Sequence, residues 1–226
     1  MSEASSLLRA SDLTVYRGDD PLFEGVDVSV SSGQILQIQG NNGAGKTTLL
    51  KVLCGLILAD DGDVYWREQL VRRDPTRFNL ECLYLGHKPG LKQELSAVEN
   101  LRSFASLRSD YPSSEMDIRI HNALSRLQLG DRTDLPCNVL SAGQRRRVAL
   151  ARLLVSDATL WVLDEPLTAL DREGCELIQT MMLQHLDSQG AIIYTTHQPL
   201  PGFGPRNLSL RLDADVSGNR SPAAES

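Results

Sequence analysis

Short apolar runs and stretches with helical spacing alternate along this chain of 226 residues. The apolar runs at 35–38, 159–163 and 191–196 have the length and composition of buried strands. Apolar positions recur with helical spacing over 48–54 and through most of 90–135. Such alternation is typical of a mostly parallel sheet covered by helices. We therefore predict an α/β fold.

Two helices are predicted in the helical stretch. Ser96 and Glu99 form a capping box that opens the first. Ser114 is expected to open the second, with Gly130 at its end and an apolar stripe of Ile118, Ala123, Leu124 and Leu127.

The order of these elements predicts one domain over residues 1–212. Residues 7–71 mix short strands with a glycine-rich loop, which indicates a β-rich edge. The helical subdomain, at about 90–157, is inserted before the later strands. Residues 213–226, rich in Ser, Asp, Gly and Ala, are expected to form a disordered tail.

The glycine-rich loop matches every fixed position of the pattern G-x-x-x-x-G-K-[ST]. Glycines let successive backbone N–H groups turn inward around phosphates, and the helix that follows points its positive end at them. We therefore predict that the loop binds a nucleoside triphosphate with Mg²⁺, with Lys46 facing the phosphates and Thr47 holding the metal. The predicted phosphate-binding residues are Gly40, Asn41, Asn42, Gly43, Ala44, Gly45, Lys46, Thr47 and Thr48.

Two adjacent carboxylates end the second apolar run. Asp164 is expected to orient Mg²⁺ and its water, and Glu165 to orient the attacking water or accept its proton. A strand that merely stops at two solvated acids is the alternative, and the nearby phosphate loop argues against it.

A third motif lies between the loop and the acidic pair, and it consists of Ser141, Ala142, Gly143 and Gln144 after Leu140. The chain here resembles the ATP-binding cassette (ABC) ATPases, whose signature reads Leu-Ser-Gly-Gly-Gln, with Ala142 as the one departure. An ordinary capped helix would account for Ser141 at its N-cap, but we expect that it would not account for Gly143 and Gln144 in the first turn. The resemblance implies that these residues bind the ATP held by the partner subunit of a head-to-tail homodimer.

The resemblance to ABC ATPases also implies a fold and further site residues. The fold is a P-loop NTPase core with a mostly parallel sheet, an antiparallel β subdomain and a helical subdomain. Tyr16 matches an aromatic residue that stacks on adenine, Asp171 matches a loop that crosses the dimer interface, and His197 matches a catalytic histidine that contacts the γ-phosphate and the water. His87 stands where a glutamine is usual, which makes it a candidate for the water shell of the metal.

Composition narrows the class of partner. The net charge is −6 and the pI about 5.2, which argues against nucleic acid as a partner. The basic run Arg145–Arg147 is interpreted as a solvated helix face. Four cysteines without a C-x-x-C pair indicate reduced thiols and the cytosol. Residues 1–6 lack the features of a secretory signal, and the apolar stretch 49–58 is too short to cross a bilayer.

The segment 83–101 is similar to the matching part of the ATPase subunits of bacterial cytochrome c maturation systems. That resemblance implies a peripheral protein on the cytoplasmic face of the inner membrane, bound to the integral membrane subunits of a haem exporter. Its ATPase would energise haem export or the release of a haem-loaded chaperone. The alternatives are a soluble ABC ATPase that acts on nucleic acid or the ribosome, an ABC ATPase for another substrate, and a GTPase, although no N-K-x-D motif is present.

Overall fold

The structure is a computed structural model. It describes residues 6–108, 111–197, 200 and 202–212. The strands are β1 (Ser6–Arg17), β2 (Asp20–Ser31), β3 (Ile35–Gly40), β4 (Asp61–Trp66), β5 (Gln69–Leu70), β6 (Cys82–Leu85), β7 (Leu160–Asp164), β8 (Ala191–Thr195) and β9 (Asn207–Leu212). The α-helices are α1 (Lys46–Leu53), α2 (Pro75–Glu81), α3 (Ala97–Ala105), α4 (Ser113–Arg126), α5 (Ala142–Val155) and α6 (Arg172–Asp187).

Five strands form a parallel sheet in the order β6-β7-β8-β3-β9. Side chains alternate between its two faces, so that Ile35 packs with the helical region and Leu36 with α1 and the β-rich part. The carboxyl ends of β3, β7 and β8 lie side by side, and this edge is where ligands bind in such sheets. The predicted α/β fold with a parallel sheet is confirmed.

A separate antiparallel sheet has the order β2-β1-β4-β5. Its strands come from residues 6–31 and 61–70, which match the β-rich region expected at residues 7–71. The sheet packs through an apolar cluster onto α1 and one face of the parallel sheet. The sheet brings Tyr16, near the end of β1, to the neighbourhood of the phosphate loop. The predicted antiparallel β subdomain is therefore present.

Helices α3, α4 and α5 follow β6 and precede β7 along the chain, and they pack against one another. The predicted capping box is present at α3, where Ser96 Oγ accepts from the Glu99 amide at 3.2 Å and Glu99 Oε2 accepts from the Ser96 amide at 2.8 Å. The apolar stripe predicted for α4 is confirmed at Ala123, Leu124 and Leu127, which are buried, and wrong at Ile118, which is 62% exposed while Met116 and Ile120 are buried. The helix begins at Ser113 and ends at Arg126, before Gly130.

No helix among the described residues is long and apolar enough to span a bilayer. The tail predicted at 213–226 lies outside the described residues.

Candidate functional site

The phosphate loop connects β3 to α1. Gly43 and Gly45 have φ angles of +89° and +91°, a region that glycine enters at little cost. A Cβ on Gly45 would lie 2.9 Å from Leu22 Cγ and 3.0 Å from Phe23 Cδ1, so the site requires glycine for space as well. The shape of the loop therefore requires the glycines that the sequence pattern contains.

Lys46 is the first residue of α1, and its side chain folds back over the loop. Its Nζ donates to the carbonyls of Gly40 at 2.7 Å and Asn41 at 3.0 Å. Ala44 is buried and its amide donates to the Asn41 carbonyl at 3.2 Å, which closes the turn. The ammonium group is thus held over the loop, where phosphate oxygens would replace the two carbonyls as its acceptors.

A cavity of about 500 Å³ opens at this loop. It brings together Tyr16 and residues from two of the predicted motifs, the phosphate loop and the acidic pair, and its lining includes Tyr16, Asn42, Gly43, Gly45, Lys46, Thr47, Thr48, Asp164 and Glu165. Tyr16 is 47% exposed, as a ring that stacks on a base must be, and its hydroxyl donates to Glu24 at 3.3 Å. The negative charge of Glu24 raises the pKa of Tyr16. A nucleotide with its base on Tyr16 and its phosphates on the loop fits this geometry.

Asp164 ends β7 and is almost fully buried. Its Oδ2 accepts from Thr47 Oγ1 at 2.8 Å, and its Oδ1 accepts from Thr195 Oγ1 at 2.7 Å. Burial, with a further contribution from the charge of Asp164, raises the pKa of the nearby Tyr84 hydroxyl. The two hydrogen bonds therefore fix the Asp164 carboxylate beside Thr47, whose hydroxyl is predicted to hold the metal.

Thr47 and Asp164 offer hard oxygen ligands, which suit Mg²⁺. Among the residues that the structure describes, no group of three or more His, Cys, Asp and Glu could hold a metal ion. A magnesium ion here would therefore complete its shell with phosphate oxygens and water, as Mg²⁺ usually does at nucleotides. The two residues fit a metal that arrives with the nucleotide.

Glu165 lies one residue beyond β7 in a strained conformation. Its φ angle is +51°, which costs a residue with a side chain about 1–3 kcal/mol. Its amide donates to the carbonyl and to Oγ1 of Thr195, at 3.2 and 3.1 Å. The strain turns the side chain out of the sheet edge into the cavity.

Three side chains surround the Glu165 carboxylate. His197 Nε2 lies 3.0 Å from Oε1, Thr168 Oγ1 donates to Oε2 at 3.2 Å, and His87 Nδ1 lies 4.0 Å from Oε2. The two predicted histidines thus approach the same carboxylate from different segments. His87 therefore lies beside the predicted base, and its role at the water stays a prediction.

Three of the four signature residues, Ser141, Gly143 and Gln144, line a different cavity together with Asp171. Ser141 caps α5 in a capping box: its Oγ accepts from the Gln144 amide at 3.2 Å, and its amide donates to Gln144 Oε1 at 2.9 Å. A Cβ on Gly143 would lie 2.8 Å from the Ala169 carbonyl. The argument that helix capping and packing leave Gly143 and Gln144 unexplained was therefore wrong, since each has a structural role.

Asp171 caps α6. Its Oδ1 accepts from the Gly174 amide at 2.9 Å and from Arg147 Nη2 at 2.8 Å, and these bonds lower its pKa. The cavity that it shares with the signature has no lining residue in common with the cavity at the phosphate loop. Within one chain, the signature and the phosphate loop therefore form two separate surfaces.

The interpretation of Arg145–Arg147 as a solvated face was wrong. Arg146 is only 3% exposed, the Arg147 side chain bonds to Asp171 and Gln128, and Arg145 donates to the Leu140 carbonyl. The helical spacing could have indicated that Arg146 is buried, because this residue lies four positions before Leu150 on the buried stripe of α5. Thr195 was also missed, because its contact with Asp164 depends on how β7 and β8 align.

Comparison with known proteins matches residues 23–168 to the ABC transporter family. A cytochrome c biogenesis ATP-binding export protein CcmA from Vibrio vulnificus strain YJ016 is 42% identical over 91% of this chain and 99% of that protein. The protein of the same name from Yersinia pestis bv. Antiqua strain Nepal516 is 45% identical over 86% of this chain and 87% of that protein.

A solved ATP-binding cassette, dimeric and bound to ADP and Pi in a post-hydrolysis state, has a TM-score of 0.79. The alignment covers 91% of this chain and 96% of the solved chain. At 21% identity the likeness shows that the two chains share a fold. The chain therefore belongs to the ABC transporter family of ATP-binding proteins and, within that family, to the CcmA group of cytochrome c biogenesis proteins.

Proposed function

We propose that this ABC ATPase uses ATP hydrolysis to energise haem export, or release of a haem-loaded chaperone, during cytochrome c biogenesis. The observation that carries the ATPase chemistry is the meeting of the phosphate loop, Asp164 and Glu165 at one cavity, with His197 Nε2 3.0 Å from Glu165 Oε1. The assignment to cytochrome c biogenesis rests on the names of its relatives.

Binding of ATP would use groups already in place. The backbone N–H groups of the loop and Lys46 hold the β- and γ-phosphates, and Tyr16 stacks on the adenine. Thr47 and Asp164 would hold Mg²⁺, whose charge, when it is bound, offsets that of the phosphate oxygens.

Hydrolysis follows from the position of the Glu165 carboxylate. A water oxygen attacks the γ-phosphorus while Glu165 takes a proton from that water, and the bond from phosphorus to the bridging oxygen breaks to give ADP and phosphate. His197 Nε2, 3.0 Å from Glu165 Oε1, orients the carboxylate and would contact the γ-phosphate of a bound ATP. Lys46 stabilises the negative charge that gathers on the leaving ADP.

The separate signature cavity supports a homodimer in which Ser141–Gln144 of one chain complete the ATP site of the other. Residues 1–212 would act as one ATPase domain, with the helical subdomain at about 90–157 inserted. We propose that the dimer binds integral membrane subunits of a haem exporter at the cytoplasmic face of the inner membrane, with no nucleic acid as partner.

Glu165→Gln tests the catalytic assignment. The amide keeps the size of the side chain and leaves the phosphate loop intact, but it cannot accept a proton from water. ATP affinity should stay within about threefold of wild type while kcat falls at least about 100-fold. Glu176→Gln, on the exposed face of α6, is the matched control and should leave both values unchanged. Wild-type turnover in Glu165→Gln would refute the role of Glu165.

Purification from detergent-solubilised membranes tests the membrane assignment. Tagged full-length chain should carry integral membrane proteins with it and should support cytochrome c maturation in cells that lack their own copy. Recovery of ribosomes or nucleic acid in place of membrane proteins would favour the soluble alternative.

A further inference from the structure

Arg146 is a buried cation in the second turn of the helix that carries the signature. Its side chain points into the interior between α5 and the edge of the parallel sheet, and only 3% of the residue is exposed. An arginine guanidinium stays charged even when it is buried, so it needs hydrogen-bond acceptors that replace the lost water molecules. Burial lowers its pKa, and the nearby charges of Asp164 and Glu165 oppose that shift.

Every one of its N–H donors points to a backbone carbonyl. A guanidinium has five such donors in a rigid plane, and here all are used. Nε donates to Pro166 at 3.1 Å, Nη1 to Gly86 at 2.9 Å and His87 at 3.3 Å, and Nη2 to Asp164 at 3.2 Å and Glu165 at 2.7 Å.

The five carbonyls belong to two segments. Three come from the consecutive residues 164–166, where Glu165 adopts its strained left-handed conformation. Carbonyls that converge in this way carry like partial charges that repel one another, and a cation among them stabilises their arrangement. Arg146 thereby offsets part of the strain that directs the Glu165 side chain into the site.

The other two carbonyls belong to Gly86 and His87. The side chain of His87 approaches the Glu165 carboxylate to 4.0 Å on the side of Oε2. One planar group therefore fixes both pieces of backbone from which the Glu165 and His87 side chains extend.

We propose that Arg146 is a positioning residue for ATP hydrolysis, which holds Glu165 and His87 in the geometry that orients the attacking water. The proposal rests on the proposed role of Glu165. It assigns Arg146 no contact with ATP, so its loss should slow turnover and leave binding unchanged.

Arg152, further along α5, provides the matched control. Its Nη1 and Nη2 donate to the carbonyls of Pro89 and Gly90, at 3.1 and 2.7 Å, in the same loop that Arg146 holds. It also lies over the Phe104 ring and is partly buried. Among the described residues, its side-chain hydrogen bonds reach that loop and not residues 164–166. Substituting Arg152 therefore removes a comparable structural arginine that does not hold the Glu165 backbone.

The experiment compares Arg146→Lys and Arg152→Lys in the full-length chain. Lysine keeps the charge but has no planar fork that reaches two segments at once. For Arg146→Lys we expect a fall in kcat of at least about tenfold with ATP affinity within about threefold, and for Arg152→Lys kcat within about twofold. Thermal unfolding of each variant reports any loss of stability.

A double-mutant cycle with Glu165→Gln separates positioning from a general structural role. If Arg146 acts through Glu165, Arg146→Lys should reduce the residual turnover of Glu165→Gln by less than about twofold. A full tenfold fall in that background would overturn the proposal. So would wild-type kcat in folded Arg146→Lys, or equal losses of kcat in the two lysine variants in step with their stability.

Two further outcomes are distinguishable. If Glu165→Gln keeps wild-type turnover, the proposed role of Glu165 fails and the role of Arg146 falls with it; if only Arg146→Lys keeps turnover, Arg146 alone was misassigned. Should Arg146→Lys fail to fold, Arg146→Gln replaces it. Wild-type kcat in Arg146→Gln then overturns the proposal, and a selective loss of kcat supports it.

Discussion

At the scale of single residues, Thr195 connects the two acidic groups of the site. It is fully buried, its Oγ1 donates to Asp164 Oδ1 at 2.7 Å, and the same oxygen accepts from the Glu165 amide at 3.1 Å. A hydrogen bond to a buried carboxylate costs more to lose than an exposed one, because the carboxylate stays in place without its partner.

Thr195→Val should therefore lower the free energy of unfolding by about 1–3 kcal/mol and should also reduce kcat. Valine has the same shape but no hydroxyl, so packing is retained while Asp164 loses a donor. Urea unfolding followed by fluorescence gives the free energy. Thr195→Ser, which keeps the hydroxyl, is the control and should lose less; equal stability of Thr195→Val and wild type would contradict the prediction.

The phosphate loop and the acidic pair could be predicted from the sequence because each is set by a few consecutive residues, whereas His197 was proposed from the resemblance to ABC ATPases. Glycines at 43 and 45 are needed for local backbone angles, and Asp164 follows a visible strand. The bonds of Arg146 to two distant segments could not be predicted, because they depend on how α5 docks against the sheet edge. His87 and Glu165 could be placed at one edge, but not at 4.0 Å.

At the scale of elements, α6 docks on the central strands through a stacked pair. The His185 ring lies on Trp161 with centroids 3.8 Å apart, and its Nε2 donates to the Thr159 carbonyl at 3.0 Å. Burial lowers the pKa of His185 to about 4 from an ordinary value of 6.5. The folded protein therefore holds this imidazole neutral at pH values where the unfolded chain binds a proton.

The unfolding free energy should consequently fall as the pH drops below 6.5 and keep falling until about pH 4. The unfolded state binds more protons throughout that window, so stability rises with pH there, and the contribution is complete above pH 6.5. Between pH 7 and pH 5 this group should account for up to about 2 kcal/mol. His185→Phe keeps an aromatic ring on Trp161 and cannot titrate, so urea unfolding should show a smaller loss in the variant. The same pH dependence in both would contradict the assignment.

Element positions could be predicted where strands are mostly apolar, as in β3, β7 and β8, and where a capping box marks a start, as at Ser96. In the stripe of α4 only Ile118 was misjudged, because Met116, Ile120 and Ala123 follow one helical face and Ile118 lies off it. A helix with a mixed surface shows its buried face only when its neighbours, here α3 and α5, are in place.

At the scale of the whole molecule, the two separate cavities predict that one chain cannot complete its own ATP site. Heterodimers of a Lys46→Ala chain with a Ser141→Arg chain should have one intact composite site and hydrolyse ATP. Heterodimers of wild type with a chain carrying both substitutions should have none, since each site then contains one defect. Two affinity tags isolate each heterodimer for an ATPase assay.

Equal activity in the two arrangements would contradict the composite site, because they contain the same substitutions and differ only in which chain carries them. Normal hydrolysis by dilute monomers of either single variant would contradict it as well.

The position of β3 has a consequence for how the protein is made. This strand leads into the phosphate loop, yet its two neighbours in the sheet are β8 and β9, and Gly40 pairs with Leu212. A Cβ on Gly40 would lie 2.5 Å from the Leu212 carbonyl, so the last strand forms one wall of the loop. Leu212 leaves the ribosome roughly 170 residues after Gly40, which at roughly 5–20 residues per second takes about 10–35 s. Until β8 has been made, the nascent chain holds β3 with neither of its neighbours, and until β9 has been made the phosphate loop lacks one wall. We therefore expect ATP to stabilise the chain only once β9 is present, and a chain stalled on the ribosome before β9 to gain no stability from ATP.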